Sequence, residues 1–127
     1  KNKLNLHCRS GIRVKDKFYF SEAFFNGLFE LDLNDFSVKF ICHFSGESKS
    51  RMLCHGRQTI KYKDTIYFFP TCIKRIHYYD LTKKEENNIY LIKKGNRNWQ
   101  TPKEVCSYVV ENCEYIGDIS IFWSFQK

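Results

Sequence analysis

An all-β fold assembled from repeats of about 48 residues is what this sequence predicts, on three observations. The chain matches itself at an offset of 48. The apolar residues within each copy alternate at period two in short runs. Aromatics are dense, with 12 Phe and 8 Tyr in 127 residues against six Gly and two Pro, a composition that favours strands over helices or disorder.

The offset is read without gaps between positions 7 and 33. It pairs His7 with His55, Arg9 with Arg57, Ile12 with Ile60, Lys15 with Lys63 and Asp16 with Asp64. It continues through Tyr19 with Tyr67, Phe20 with Phe68, Asp32 with Asp80 and Leu33 with Leu81. Other aligned positions keep their character, as in Phe18/Ile66, Leu28/Ile76 and Arg13/Lys61, which is how two copies of one structural unit behave. A third, partial copy is expected at about 117–127, where IGDISIFWSF resembles YKDTIYFFPT.

Each copy reads as four antiparallel strands. They are expected at about 11–15, 17–21, 27–32 and 37–43, and again at about 58–62, 65–69, 75–80 and 88–92. Lys15-Asp16 and Lys63-Asp64 carry the turn before each second strand, and Asn26-Gly27 marks another turn. The segment 95–116 has two readings. Thr101-Pro102 followed by an acidic residue fits a helix start, whereas VCSYVV also fits a strand; a short helix or linker inserted before the third copy is the reading adopted.

Repeats of 40 to 50 residues with four strands each are the mark of propeller blades. At KDKFYFSEAFFNGLFELDLN (15–34) and KDTIYFFPTCIKRIHYYDLT (63–82) the chain resembles Kelch-type β-propellers, in particular the Kelch-like repeats of uncharacterised bacterial proteins. It departs from them where Kelch blades carry Gly-Gly after the second strand, since Ser21-Glu22 and Phe69-Pro70 stand there, and it lacks their later Trp in the first two copies.

The resemblance implies an incomplete propeller of about 2.5 blades within one domain, 1–127: blade 1 at about 7–45, blade 2 at about 55–93, and a partial blade 3. In such blades Tyr19, Phe20, Tyr67 and Phe68 would fill the space between neighbouring sheets, and Asp32 and Asp80 would close the turn after the third strand. Two and a half blades do not close a ring, so a parent protein with more blades, or self-association, is expected.

On the ligand face implied by the resemblance, the candidate binding residues are His7, Arg9, His55 and Arg57 at the entry to each first strand. Phe24, Phe25, Lys74 and Arg75 join them from the loops between second and third strands. Cations there would meet an acidic peptide or an anionic sugar. The expected function is a scaffold for protein or ligand binding. The alternatives are a glycan-binding or glycan-processing propeller with further blades, and a small secreted domain held by disulfides.

The net charge of +7 is spread along the chain in no run longer than a Lys pair, so a nucleic-acid partner is not expected. No 18-residue apolar stretch exists, so no membrane-spanning helix is expected. Cysteines at 8, 42, 54, 72, 106 and 113 sit in apolar runs without any N-glycosylation motif, which favours free thiols and a cytoplasmic protein. The first residue, Lys1, leaves room for a removed signal. His7-Cys8, Cys42-His43 and Cys54-His55 are adjacent pairs whose side chains alternate across a strand, so neither a metal nor any other cofactor is expected. There is no GxSxG, HExxH or Gly-rich phosphate loop, and no catalytic residue is assigned.

Overall fold

The computed structural model describes residues 6–24, 26–48, 55–70 and 74–90, with the backbone alone at residues 9 and 56–58. These residues form two four-stranded antiparallel meanders and no helix. The first sheet runs β1 (Cys8–Val14), β2 (Lys17–Glu22), β3 (Leu28–Asp32), β4 (Val38–Cys42), and the second β5 (His55–Tyr62), β6 (Thr65–Pro70), β7 (Arg75–Asp80), β8 (Glu85–Tyr90). The helix or linker expected at 95–116 and the third copy at 117–127 lie outside the described residues.

The two sheets repeat each other at an offset of 48 down to single hydrogen bonds. Lys15 and Lys63 open the first hairpins at φ 57° and 54°, and Phe36 and Lys84 occupy the left-handed region at 59° and 57° before each fourth strand. Leu33 N–H donates to Asp16 O and Leu81 N–H to Asp64 O, both at 2.8 Å. The Asp32 carboxylate accepts the Asn34 N–H at 2.8 Å, and Asp80 accepts those of Thr82 and Lys83 at 2.9 Å. Short acidic side chains do this because their oxygens reach the amides two and three residues on. Tyr19 lies between Ile12 and Glu30, and Tyr67 takes the same place between Ile60 and Tyr78.

Three expected boundaries move by three residues and several others by one. β1 and β5 begin at 8 and 55 rather than 11 and 58 because each is bulged near its start, with register shifts between Cys8/Ser10 and His55/Thr59. A bulge breaks the two-residue alternation by which a strand is recognised. β8 begins at 85 rather than 88. Its first residues, Glu85 to Asn88, are polar and exposed or half-buried in the last strand of the described sheet, so they show no apolar alternation.

The sheets approach each other along β1 and β5, and a core fills the space between them. The first sheet contributes Tyr19 and Leu28 and the second Ile66, Phe68 and Tyr79, with Ile12, Val14 and Leu81 packed around them. Tyr19 and Tyr79 meet with ring centres 6.3 Å apart. Phe20 and Tyr67 point to the opposite faces of their sheets, where Phe20 stacks on Phe29 at 5.5 Å and Tyr67 contacts Tyr78 at 5.7 Å. Both faces of each meander are therefore apolar. Gly11 serves this arrangement, since a Cβ there would sit 2.6 Å from the Phe18 ring, which lies over the glycine.

Candidate functional site

Antiparallel order brings the starts of β1 and β5, the ends of β2, β4 and β6, and the starts of β3 and β7 to one end of the sheets. His7, Phe24, His55, Lys74 and Arg75 all lie at this end. Arg9 and Arg57 stand in the bulged starts of β1 and β5, described by backbone alone, and Phe25 lies outside the described residues.

His7 and Phe24 form the exposed part. Their rings meet edge to face at 4.8 Å, and Phe24 is 60% exposed. Both are fixed from below by Glu22, a buried carboxylate that accepts the N–H of His7 and the N–H of Phe24, each at 2.5 Å. Ala23 N–H donates to His7 O at 2.7 Å and closes the same knot. The carboxylate thus satisfies loop amides that would otherwise be orphaned.

His55 has another setting, although its sequence position matches that of His7. It is 1% exposed and belongs to a buried hydrogen-bonded chain. His77 Nε2–H donates to the Ser45 carbonyl at 3.0 Å, and a carbonyl can only accept. His77 Nδ1 is then the acceptor for His55 Nε2–H at 3.0 Å, and His55 Nδ1 accepts the Ser21 hydroxyl at 2.6 Å. One direction of donation satisfies every atom with both imidazoles neutral. Burial pushes both imidazoles well below the ordinary histidine value, His77 to about 4. The order Ser, His, His has the form of a nucleophile, a base and an orienting group. Ser21, however, is fully buried, which leaves no room beside its Oγ for a substrate carbonyl.

The chain that leaves β4 is steered into this seam by Asn26. Its side-chain amide donates to Phe44 O at 2.8 Å and its Oδ1 accepts Phe44 N–H, so one side chain pairs with a backbone as a strand would. His43 Nδ1–H donates to Asn26 O at 2.6 Å. Phe44 consequently enters between the sheets, with ring centres 4.6 Å from His55, 5.0 Å from His77 and 5.2 Å from Phe68. Asn26, read from sequence as half of a turn, is one of the residues that sequence reasoning missed; its only signal was an amide standing where the second copy has Lys74.

Past Phe44, Ser45 N–H and Oγ–H donate to Glu86 at 3.1 and 3.2 Å, and burial raises the Glu86 carboxyl to about 7 against these two bonds. Gly46 has φ 81°, and an added Cβ would lie 2.4 Å from the Arg75 side chain. Arg75 is itself engaged, by Glu47 at 3.4 Å and by the Tyr90 ring at 4.9 Å. Gly46→Ala is therefore expected to lower stability by about 1–3 kcal/mol through the left-handed backbone alone. Adding Arg75→Ala removes the clash but not the backbone cost, so the double variant should recover only part of the loss in urea denaturation. Full recovery would contradict the backbone account.

Cys8 and Cys42 are free thiols, Cys8 exposed and Cys42 half-buried, its thiol pushed up to about 11 by burial and by Glu86. The other four cysteines lie outside the described residues. Among the described residues no three His, Cys, Asp or Glu side chains are placed to hold a metal ion, and no helix is long and apolar enough to cross a membrane. No family model matches the chain, and no curated protein matches it.

Proposed function

We propose that the chain is a pair of consecutive blades of a Kelch-like propeller scaffold, binding a protein or peptide at the end of the sheets that carries His7, Phe24, Lys74 and Arg75. The reading is carried by the 48-residue identity of the two meanders together with the way they stack. The face of the first sheet bearing Tyr19 meets the face of the second bearing Phe68. The Phe20 face of the first sheet and the Tyr67 face of the second point away from this seam, and each is equivalent in register to one half of it, with both side chains themselves buried. A unit with both halves of the same contact on opposite sides is made to be repeated.

At the binding end, Phe24 supplies exposed aromatic area on a loop held by Glu22, and Lys74 supplies an exposed cation, the combination that anchors peptides carrying acidic and apolar residues. Peptide display against the chain is expected to enrich such sequences. The Phe24→Ala, Lys74→Ala variant should bind the enriched peptides at least about tenfold more weakly while keeping its thermal midpoint. Undiminished binding would remove this end from consideration. Enrichment of glycans on an array, with no peptide selected, would move the assignment to the glycan-binding alternative.

A further inference from the structure

At the opposite end of the sheets, where the two first hairpins turn, the seam opens into a cleft of about 510 Å3. Its apolar wall is Val14, Tyr19 and Leu81, the outer margin of the core between the sheets. Around that wall stand four cations, Arg13, Lys15, Lys17 and Lys61, and two carboxylates, Asp16 and Asp64, an excess of two positive charges.

The carboxylates are already committed to the turns. Asp16 accepts the Asn34 side-chain amide at 2.9 Å, and Asp64 accepts the Thr82 hydroxyl at 3.1 Å. Lys17 is bound to Asp32 at 2.6 Å. Among the described residues no ion pair engages Arg13, Lys15 or Lys61. Arg13 is nevertheless held, because its Nε–H donates to Lys15 O at 2.8 Å, which fixes the guanidinium plane and leaves its terminal N–H groups for another acceptor. A fixed guanidinium fork matches a carboxylate in a bidentate way, and apolar walls strengthen the attraction by excluding water.

We propose that this cleft binds a carboxylate-bearing ligand, with the carboxylate between Arg13 and Lys61 and the body of the ligand on Val14, Tyr19 and Leu81. Lys61 stands opposite Ile66 on the seam face of its sheet, whereas Arg13, at the equivalent position of the first copy, stands opposite Phe18 on the other face and borders the cleft at the hairpin edge. The lining comes from both sheets, so the site exists only where two sheets stack. It lies at the end of the sheets opposite His7 and Phe24 and does not depend on what binds there.

The test is a titration of the chain with tetraglutamate and with digalacturonate, followed by calorimetry and by amide shifts around Val14 and Leu81. Tetraglutamine, a neutral disaccharide and inorganic phosphate serve as controls. At least one carboxylate probe is expected to saturate with a Kd of roughly 1 mM or tighter, and which one binds identifies the source as an acidic peptide or a uronic sugar. Lys61→Gln is expected to weaken it several-fold, and Arg13→Gln with Lys61→Gln by about tenfold or more, whereas Lys39→Gln, which removes an exposed cation of β4 outside the cleft lining, leaves it unchanged. All three side chains project from the surface, so the folded chain tolerates the substitutions. The proposal is overturned if neither carboxylate probe saturates, if Lys61→Gln and the double variant bind like the parent, or if phosphate binds as tightly as the carboxylates.

Discussion

Replacing Phe44 by Ala is expected to lower the free energy of unfolding by about 3–5 kcal/mol, the range for an aromatic removed from a close-packed interior. Phe44 belongs to neither sheet. It is carried by the connection between them, is 1% exposed, and touches His55, Phe68 and His77 at once, so its removal empties the seam rather than one face of one sheet. Phe44→Leu keeps most of the volume and should cost about half as much, which separates loss of packing from loss of the aromatic edge contacts. Urea denaturation of both variants measures the difference, and a loss below about 1 kcal/mol for Phe44→Ala would mean that the sheets hold together without the wedge. Asn26→Ala reports on the same wedge from outside. It leaves Phe44 in the chain but removes both hydrogen bonds that aim it, so it should destabilise by a smaller amount than Phe44→Ala itself.

The parts of this architecture that repeat are legible in the sequence, and those that occur once are not. Asp32 and Asp80 announce their turns because the same carboxylate does the same work twice, and Tyr19 and Tyr67 mark the same strand position for the same reason. His7 and His55 also match, yet their surroundings are set by residues that do not repeat. His77, which His55 needs, corresponds to Phe29 in the first copy, and Ser21, its other partner, corresponds to Phe69. A buried polar chain is chosen by what faces it across the seam, and no single strand carries that information. Asn26 and Phe44 were invisible for a related reason: a side chain that imitates a strand and a linker residue that fills a core belong to no periodic pattern. The cleft at the far end emerged only from stacking, because Arg13 and Lys61 are 48 residues apart and each reads alone as a solvated edge cation.

The buried histidine pair should make the seam acid-sensitive. Each imidazole is neutral in the folded chain with its pKa held below the ordinary 6.5, while the unfolded chain takes up protons at the ordinary value. Between those values the unfolded state binds more protons, so stability is complete above about pH 6.5 and falls as the pH is lowered through 6 and 5 towards 4. For His77, moved from 6.5 to about 4, the full loss is about 3 kcal/mol, and His55 adds to it in the same direction.

The groups facing the pair modify this. Glu47 lies 3.6 Å from His77 and favours its charged form, whereas Arg75 opposes it. Glu86 acts in the other sense. Its folded pKa, raised to about 7, lets the folded chain bind the extra proton between 4.5 and 7, which adds stability as the pH falls through that window and masks part of the histidine effect. Glu86→Gln removes the mask, so its stability should fall more steeply between pH 6.5 and 4.5 than that of the parent. His77→Gln retains a donor for the Ser45 carbonyl but cannot titrate, and its profile should be shallower by close to one proton. Urea denaturation across pH 4 to 8 yields these slopes directly. If His77→Gln and the parent lost stability with the same slope, the proton uptake would belong elsewhere, and the neutral Ser21–His55–His77 chain would not be what closes the seam.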